Sequence, residues 1–417
     1  MSKVFSTHSA PRGLDDCVSD GIISACDRHV FQLCAVVIVS RFLVLAYPSF
    51  DVLFQVLGIA GSVVAMVVVF SAAKISKFEL GYLFILAVML TSQCFYTMIV
   101  RQQSVFYFFS AAYTYVYCLL LFPFSYLLNK YGVREIMHRL QVLALYIALF
   151  MLLSALVKNL VGVTLIEAMR ERVGAARFGE PELIDVILVY SCWAMIENGG
   201  HLLDILTAIC CSGAIFLVSQ TRVVEFVMLV SCALVVIASV RGANYKLLLV
   251  IVFIVVTVGI AAAGIISSFF SSFSTTGAEA SSTLVRFDEV QYYWSLFRQN
   301  PLMGVGMIAY NSPAHYLICG AYGNFFPDDV GIIGALGTIG IWIFPLYILP
   351  LFAFLKRTLR VDSDFKSLFI ALLVYLIGTS ATLLVAYPFC STIWPLLIAL
   401  FDMGNNASCE AVVASID

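Results

Sequence analysis

Apolar runs long enough to cross a bilayer recur along the whole chain, and they constrain the fold more than any other feature. A hydrocarbon core of roughly 30 Å takes about 20 helical residues at 1.5 Å each. Such runs fall at Val30 to Tyr47, Val52 to Ala73, Leu80 to Val100, Ser104 to Leu128, Gln141 to Val163, His201 to Ser219, Val223 to Val240, Leu247 to Ser267, Val330 to Leu355, Lys366 to Tyr387 and Phe389 to Met403. Only 12% of the 417 residues are charged, 62% are hydrophobic and the mean hydropathy is +1.01. A water-soluble domain carries roughly twice that share of charge. The pattern predicts an all-α, polytopic helical bundle of about eleven or twelve transmembrane helices. Residues 1–29 form a cytoplasmic N-terminal segment in this reading, 30–403 one integral-membrane domain and 404–417 a cytoplasmic tail.

Composition narrows the function classes. A net charge of -2 supplies no basic field for holding nucleic acid. The first 29 residues mix charges of both signs, without the basic, apolar and small-residue succession of a signal peptide. The 12 Cys are scattered, mostly in apolar runs, with no Cys-x-x-Cys spacing, so neither a structural zinc site nor a disulfide framework is expected.

Lys and Arg in short loops stay on the cytoplasmic side. Placing Lys74 with Lys77, then Lys130, Arg134 and Arg139, then Lys356, Arg357 and Arg360 inside makes Thr164 to Asp185 and Phe269 to Asp329 extracytoplasmic. Between those two outer stretches three confident crossings leave the parity wrong. Ile184 to Ile196 is the candidate for the missing transit; if it crosses, Asn198-Gly199-Gly200 is the turn and Arg241 is cytoplasmic, whereas if it only dips, Arg241 is outside.

The second outer stretch carries the motifs. It reads Arg286-Phe-Asp-Glu-Val-Gln-Tyr-Tyr-Trp294, then Asn300-Pro301-Leu302-Met303-Gly304-Val305-Gly306, then His315-Tyr316-Leu317, then Asp328-Asp329-Val330-Gly331-Ile332-Ile333-Gly334. An Arg and a Trp on a short helix, an Asn-Pro stop and a Gly-x-Gly bend would set a polar site at the membrane surface. Together with Val240-Arg241-Gly242-Ala243 at an earlier helix end, this pattern resembles the O-antigen ligase and Wzy-type polymerase superfamily. Tyr316, where that family often has Asn, and Val240, in place of its Ser, depart from the pattern.

The resemblance implies glycosyl transfer from a polyprenyl-pyrophosphate-linked glycan donor to a hydroxyl of a glycan acceptor. The setting it implies is the periplasmic face of the bacterial inner membrane, among membrane lipids, with a flippase and a chain-length regulator as possible partners. It implies no metal ion and no cofactor. Always-ionised guanidinium forks stabilise a departing pyrophosphate well. Arg286 and Arg241 are the candidates for that role. A histidine, ordinarily with a pKa of about 6.5, can accept the proton of the attacking hydroxyl near neutral pH. His315 is the His of the outer loop.

Trp294, Arg298, Asp328 and Asp329 are further substrate-binding candidates, and the two Asp equally fit as carboxylates stabilising the next helix through its dipole. In the first outer stretch, Glu167, Arg170, Glu171, Arg172, Arg177 and Glu180 fall at helical spacing, which predicts an exposed surface helix, with Arg172 or Arg177 as glycan or pyrophosphate contacts. Gly331, Gly334, Gly337 and Gly340 recur every third residue and read as a small-residue packing face. A polymerase joining repeat units is preferred to a ligase acting on lipid A-core. The alternative of another class is a lipid-linked oligosaccharide flippase, which would need polar groups lining a path through the membrane.

Overall fold

The computed structural model describes residues 25–172, 175–179, 181–197, 199–219, 221–239, 280–320, 323–360, 365–380 and 392–413. The helices are α1 (Ala25–Ala46), α2 (Asp51–Val69), α3 (Lys77–Ile99), α4 (Val105–Val116), α5 (Leu121–Val161), α6 (Glu182–Glu197), α7 (Leu202–Gly213), α8 (Arg222–Ser239), α9 (Ala280–Gln299), α10 (Tyr316–Cys319), α11 (Gly331–Ile339), α12 (Leu349–Arg360), α13 (Lys366–Thr379) and α14 (Trp394–Val413). One two-stranded antiparallel ribbon, β1 (Arg170–Arg172) with β2 (Ala175–Arg177), completes the described structure.

Five helical runs among the described residues are long and apolar enough to cross a membrane: Cys26–Ala46, Pro48–Val69, Lys77–Ile99, Val105–Val161 and Leu202–Ser219. The chain is a helical protein of the multi-pass membrane type. Helices suit it because their backbone groups pair within the segment, whereas lipid offers no partner for an open N–H or C=O. Apolar side chains on α2 and α3, such as Val67, Phe84 and Phe95, face outward, while Trp193, Trp394, Tyr347 and Phe354 fill the interior.

Several boundaries differ from the sequence expectation. Ser104 to Leu128 and Gln141 to Val163 belong to one run of 57 residues, interrupted at Gly132 (φ 79°, ψ 170°), so Arg134 and Arg139 are helical rather than in a loop. The expected crossing Val330 to Leu355 is two helical pieces, Pro327–Trp342 and Phe344–Leu359, bent by 109°. The tail beyond Met403 continues α14 to Val413. The surface helix expected between Thr164 and Glu182 is instead the β1–β2 ribbon. Alternation wins there: in sequence Val173-Gly174 joins the strands, Ala176 and Phe178 turn inward, and the Ala176 amide donates to Asn159 Oδ1 (3.2 Å). The expected crossing Leu247 to Ser267, residues 381–391 at the end of Lys366 to Tyr387 and the start of Phe389 to Met403, and Arg241 lie outside the described residues.

The apolar run Ile184 to Ile196 is a buried helix. In α6 every residue from Glu182 to Ala194 is buried. It starts beside the ribbon, and the Tyr190 hydroxyl reaches the Arg134 carbonyl at 3.3 Å. Then α7 returns, from the Gln141–Asp204 hydrogen bond (2.8 Å) to Ser219, whose carbonyl takes Arg177 Nε at 2.8 Å. The pair α6–α7 therefore runs from one end of the bundle to the other and back.

The two ends are chemically distinct. At one, which holds Lys77, Lys130 and Arg357, Asp27 takes Lys130 Nζ (2.6 Å) and the Tyr126 hydroxyl (2.8 Å), with Tyr131 bound as well. Beside it Arg357 pairs with Asp402 (2.6 Å) and lies over the Phe78 ring. Ser76 and Glu79 form a reciprocal cap that starts α3. The other end, about 34 Å away along the 23 residues of α3, holds the sequence motifs.

Candidate functional site

The motif segment is built on α9. Its buried side presents Glu289 and Tyr293 to α11; the Tyr292 and Tyr293 hydroxyls donate to the Leu317 and Ile318 carbonyls at 3.0 and 2.7 Å, pinning the short α10 turn. At Asn300-Pro301 the helix stops, since Pro has no amide to donate and clashes with the preceding turn. The Gly304 amide then bonds back to the Asn300 carbonyl (2.8 Å). Gly304 has φ +62°, and a Cβ there would stand 2.6 Å from the Gly337 carbonyl. Only glycine combines that backbone with that approach.

The motif loop and the bend in the neighbouring helix complete each other. Where the helix breaks at Gly340, the Gly337 and Thr338 carbonyls lose intrahelical partners, and the Val305 and Gly306 amides supply them at 2.8 and 2.9 Å. In return the Ile341 amide donates to the Pro301 carbonyl (2.8 Å). Irregular backbone at membrane depth is tolerated where protein satisfies it in this way. The expected small-residue face has the same cause: a Cβ on Gly337 would meet Tyr293 Cβ at 2.8 Å, and one on Gly334 would meet the Pro327 carbonyl. From the far side Gln93, Arg101 and Gln103 donate to the Met303, Val305 and Met307 carbonyls at 3.0 to 3.1 Å.

Charges converge above this framework. Asp328 and Asp329 stand on a 3-10 turn, Pro327–Val330, leading into α11. Both stand in the first turn of that 3-10 helix, and neither that turn nor α11 has a side-chain cap bond. Asp328 Oδ1 is buried without a hydrogen-bond partner. The fields of Arg286, from α9, and Arg177, from β2, act on Asp329, while Arg41 of α1 and Glu182 of α6 act on Asp328. Arg286 itself is exposed, and no ion pair closes between it and Asp329 among the described residues.

Glu289, one helical turn from Arg286, belongs to the same cluster and was passed over in the sequence. It is 0% exposed; Oε1 accepts from the Phe326 amide at 3.0 Å and Oε2 has no hydrogen-bond partner. Burial pushes its carboxyl from the ordinary 4.5 up to about 7, and Asp329 adds to that, while the Phe326 amide and Arg286 pull the other way. A carboxyl poised there can take or give a proton at neutral pH. The available signal was its spacing: 286, 289 and 293 share one side of a 3.6-residue helix.

Of the expected site residues, Arg286 and Arg177 act electrostatically on Asp329, and Asp329 acts on Asp328. Trp294 and Arg298 lie with Phe287 on an exposed stripe of α9, where Trp294 is 46% exposed and packs against Phe297 (5.4 Å between rings). That stripe carries the aromatic and basic types found at membrane–water interfaces. His315 is exposed on the turn before α10, its Nδ1 3.1 Å from the Ser312 carbonyl, and the neighbouring Tyr316 is exposed too. Arg172 is in β1, and Arg241 is outside the described residues. Among the described residues no group of three or more His, Cys, Asp or Glu is arranged to hold a metal ion. No protein-family model matches the chain, and no curated protein matches it.

Proposed function

We propose that the chain is a membrane glycosyltransferase that moves a polyprenyl-pyrophosphate-linked glycan onto a hydroxyl of an acceptor glycan at the motif end, facing the periplasm across a bacterial inner membrane. Within that class a Wzy-type polymerase is preferred to a ligase. The observation that carries the reading is that Arg286 and Arg177, from two separate elements, both act electrostatically on Asp329 at the end of an apolar bundle opposite the Lys and Arg clusters.

In the reaction the bond from the anomeric carbon to the pyrophosphate oxygen breaks and its electron pair leaves with the lipid pyrophosphate. The acceptor oxygen bonds to the same carbon and gives up its proton. Arg286 and Arg177 stabilise the charge gathering on the leaving group, with guanidinium forks suited to phosphate oxygens. His315 is the proton acceptor suggested by the motif. Its exposed ring, held through Nδ1, leaves Nε2 toward solvent. Glu289 supports the alternative, because its proton affinity matches neutral pH while its carboxylate lies beside Arg286.

The test is turnover of a lipid-linked donor by the purified chain. Arg286→Lys keeps the charge and loses the fork, and the rate should fall by roughly 10²-fold or more with membrane abundance intact. Wild-type turnover by Arg286→Ala would remove the reading. Comparing His315→Gln with Glu289→Gln assigns the base: the variant that loses about 10²–10⁴-fold marks it.

A further inference from the structure

Beneath the motif loop, between α1, α2 and α4, lies a cavity of about 390 Å³, within the size range of small-molecule sites. Arg41, Asp51, Gln55 and Thr114 line it, and Tyr310 and Asn311 of the motif segment stand at its exposed rim. Arg41 is 3% exposed, with Nη1 donating to the Tyr113 hydroxyl at 3.0 Å. Thr114 is equally buried, and its Oγ1 has no hydrogen-bond partner.

The balance of charge decides what fits. One guanidinium and one carboxylate line the cavity, Arg41 and Asp51, so its charges balance. A phosphate or another anion would meet the Asp51 carboxylate as well as Arg41, so no net positive charge draws it in. What remains is an alternation of donors (Arg41), acceptors (Asp51) and groups that do both (Thr114, Gln55, Asn311), with an aromatic ring at the rim. That pattern complements an uncharged ring carrying several hydroxyls, whose C–H face can lie on the negative face of Tyr310.

We propose that this cavity is a binding subsite for a neutral pyranose of the glycan chain, next to the sugar that reacts. It deepens the glycosyl-transfer reading and rests on it for the kind of ligand. Occupied, it would set which repeat unit the site accepts, because a buried hydroxyl without a partner discriminates strongly against a ligand that cannot satisfy it.

The test is saturation-transfer NMR on the purified full chain in detergent, with methyl pyranosides of neutral hexoses and N-acetylhexosamines, methyl glucuronide and inorganic pyrophosphate as probes. At least one neutral pyranoside should receive saturation, and Thr114→Val and Asp51→Asn should each weaken its binding about fivefold, the cost of one lost hydrogen bond, at unchanged unfolding temperature. Arg286→Ala should leave this binding intact. The proposal is overturned if no neutral pyranoside binds, if neither variant weakens binding, or if glucuronide or pyrophosphate binds in a manner that Arg41→Gln abolishes. Cavity-dependent sugar binding together with normal turnover by Arg286→Ala would instead overturn the glycosyl-transfer reaction and leave the subsite standing.

Discussion

The two ends of the bundle use charged residues in opposite ways. At the basic end charges close directly onto partners: Lys130 and two tyrosines on Asp27, Arg357 on Asp402, Ser125 and the Ser76 amide on Glu79, with Arg357 Nη1 alone of that pair left without a hydrogen bond. At the motif end charges of both signs lie within each other's fields, yet Glu289 Oε2 and Asp328 Oδ1 have no hydrogen-bond partner and Arg286 closes no ion pair among the described residues. A buried polar group left unmatched costs free energy, so a fold retains it where something else is gained. The contrast teaches that closed ion pairs tie the basic end together, whereas the motif end holds its charges near one another without closing them into pairs.

Breaking a closed ion pair should cost the most. Asp402→Ala leaves the Arg357 guanidinium buried without its carboxylate, and removing one partner of a buried pair typically costs about 3–5 kcal/mol. Thermal unfolding of the purified chain in detergent should show a large drop, largely recovered in the apolar double variant Arg357→Met with Asp402→Leu. An unchanged midpoint would dissolve the distinction between the ends.

Glu289→Gln sharpens the comparison from the other side. The folded carboxyl titrates near 7 and the unfolded one near 4.5, so the native state holds the extra proton between those values. Its contribution is complete at and below pH 4.5 and is lost as pH rises through 7, worth up to about 3 kcal/mol. Gln mimics the protonated form at every pH, so the variant should gain stability over wild type at pH 8 and lose that advantage at pH 5. Parallel stability curves for the two proteins from pH 5 to 8 would show that the carboxyl is not displaced.

A smaller effect is expected at the contact that seats the site. Gly337→Ala pushes a methyl group against Tyr293, and overpacking of that kind costs about 1–3 kcal/mol. Because α9 must shift to relieve it, turnover should fall more than stability does; equal losses would mean that α9 does not set the site's geometry. Arg286→Ala should have the smallest effect on folding, within about 0.5 kcal/mol, as for an exposed side chain in no pair. A large destabilisation would place Arg286 among the structural charges.

Much of this was legible in the sequence, for reasons that can be named. Apolar runs mark helices because lipid leaves the backbone no other choice, and Asn300-Pro301 marks a helix end through a missing amide. The repeated glycines from Gly331 to Gly340 announced close packing, which Tyr293 and Pro327 provide. The 109° bend was hidden because its cause is non-local: hydrogen bonds from Val305 and Gly306 replace those that the helix gives up. The ribbon at Arg170 to Arg177 was hidden because charge spacing was read as helical where alternate burial decides. Glu289 escaped notice because its side chain resembles any helical surface glutamate until the Phe326 amide closes on it. Trp294, taken with Arg286 from the family resemblance, and Arg298 lie on the exposed stripe of α9.

The Tyr96 hydroxyl, on the last turn of α3, accepts from Asn300 Nδ2 (2.7 Å) and Arg101 Nη2 (3.0 Å) and donates to the Gly304 carbonyl (3.4 Å). A phenol has one proton and two lone pairs to offer, and all three are engaged. The motif loop is thereby fixed against sliding or swivelling on α3, before any ligand arrives. The conformational entropy of ordering that loop is lost during folding, so a glycan meeting the site would retain for affinity what a floppy loop would have dissipated on closing.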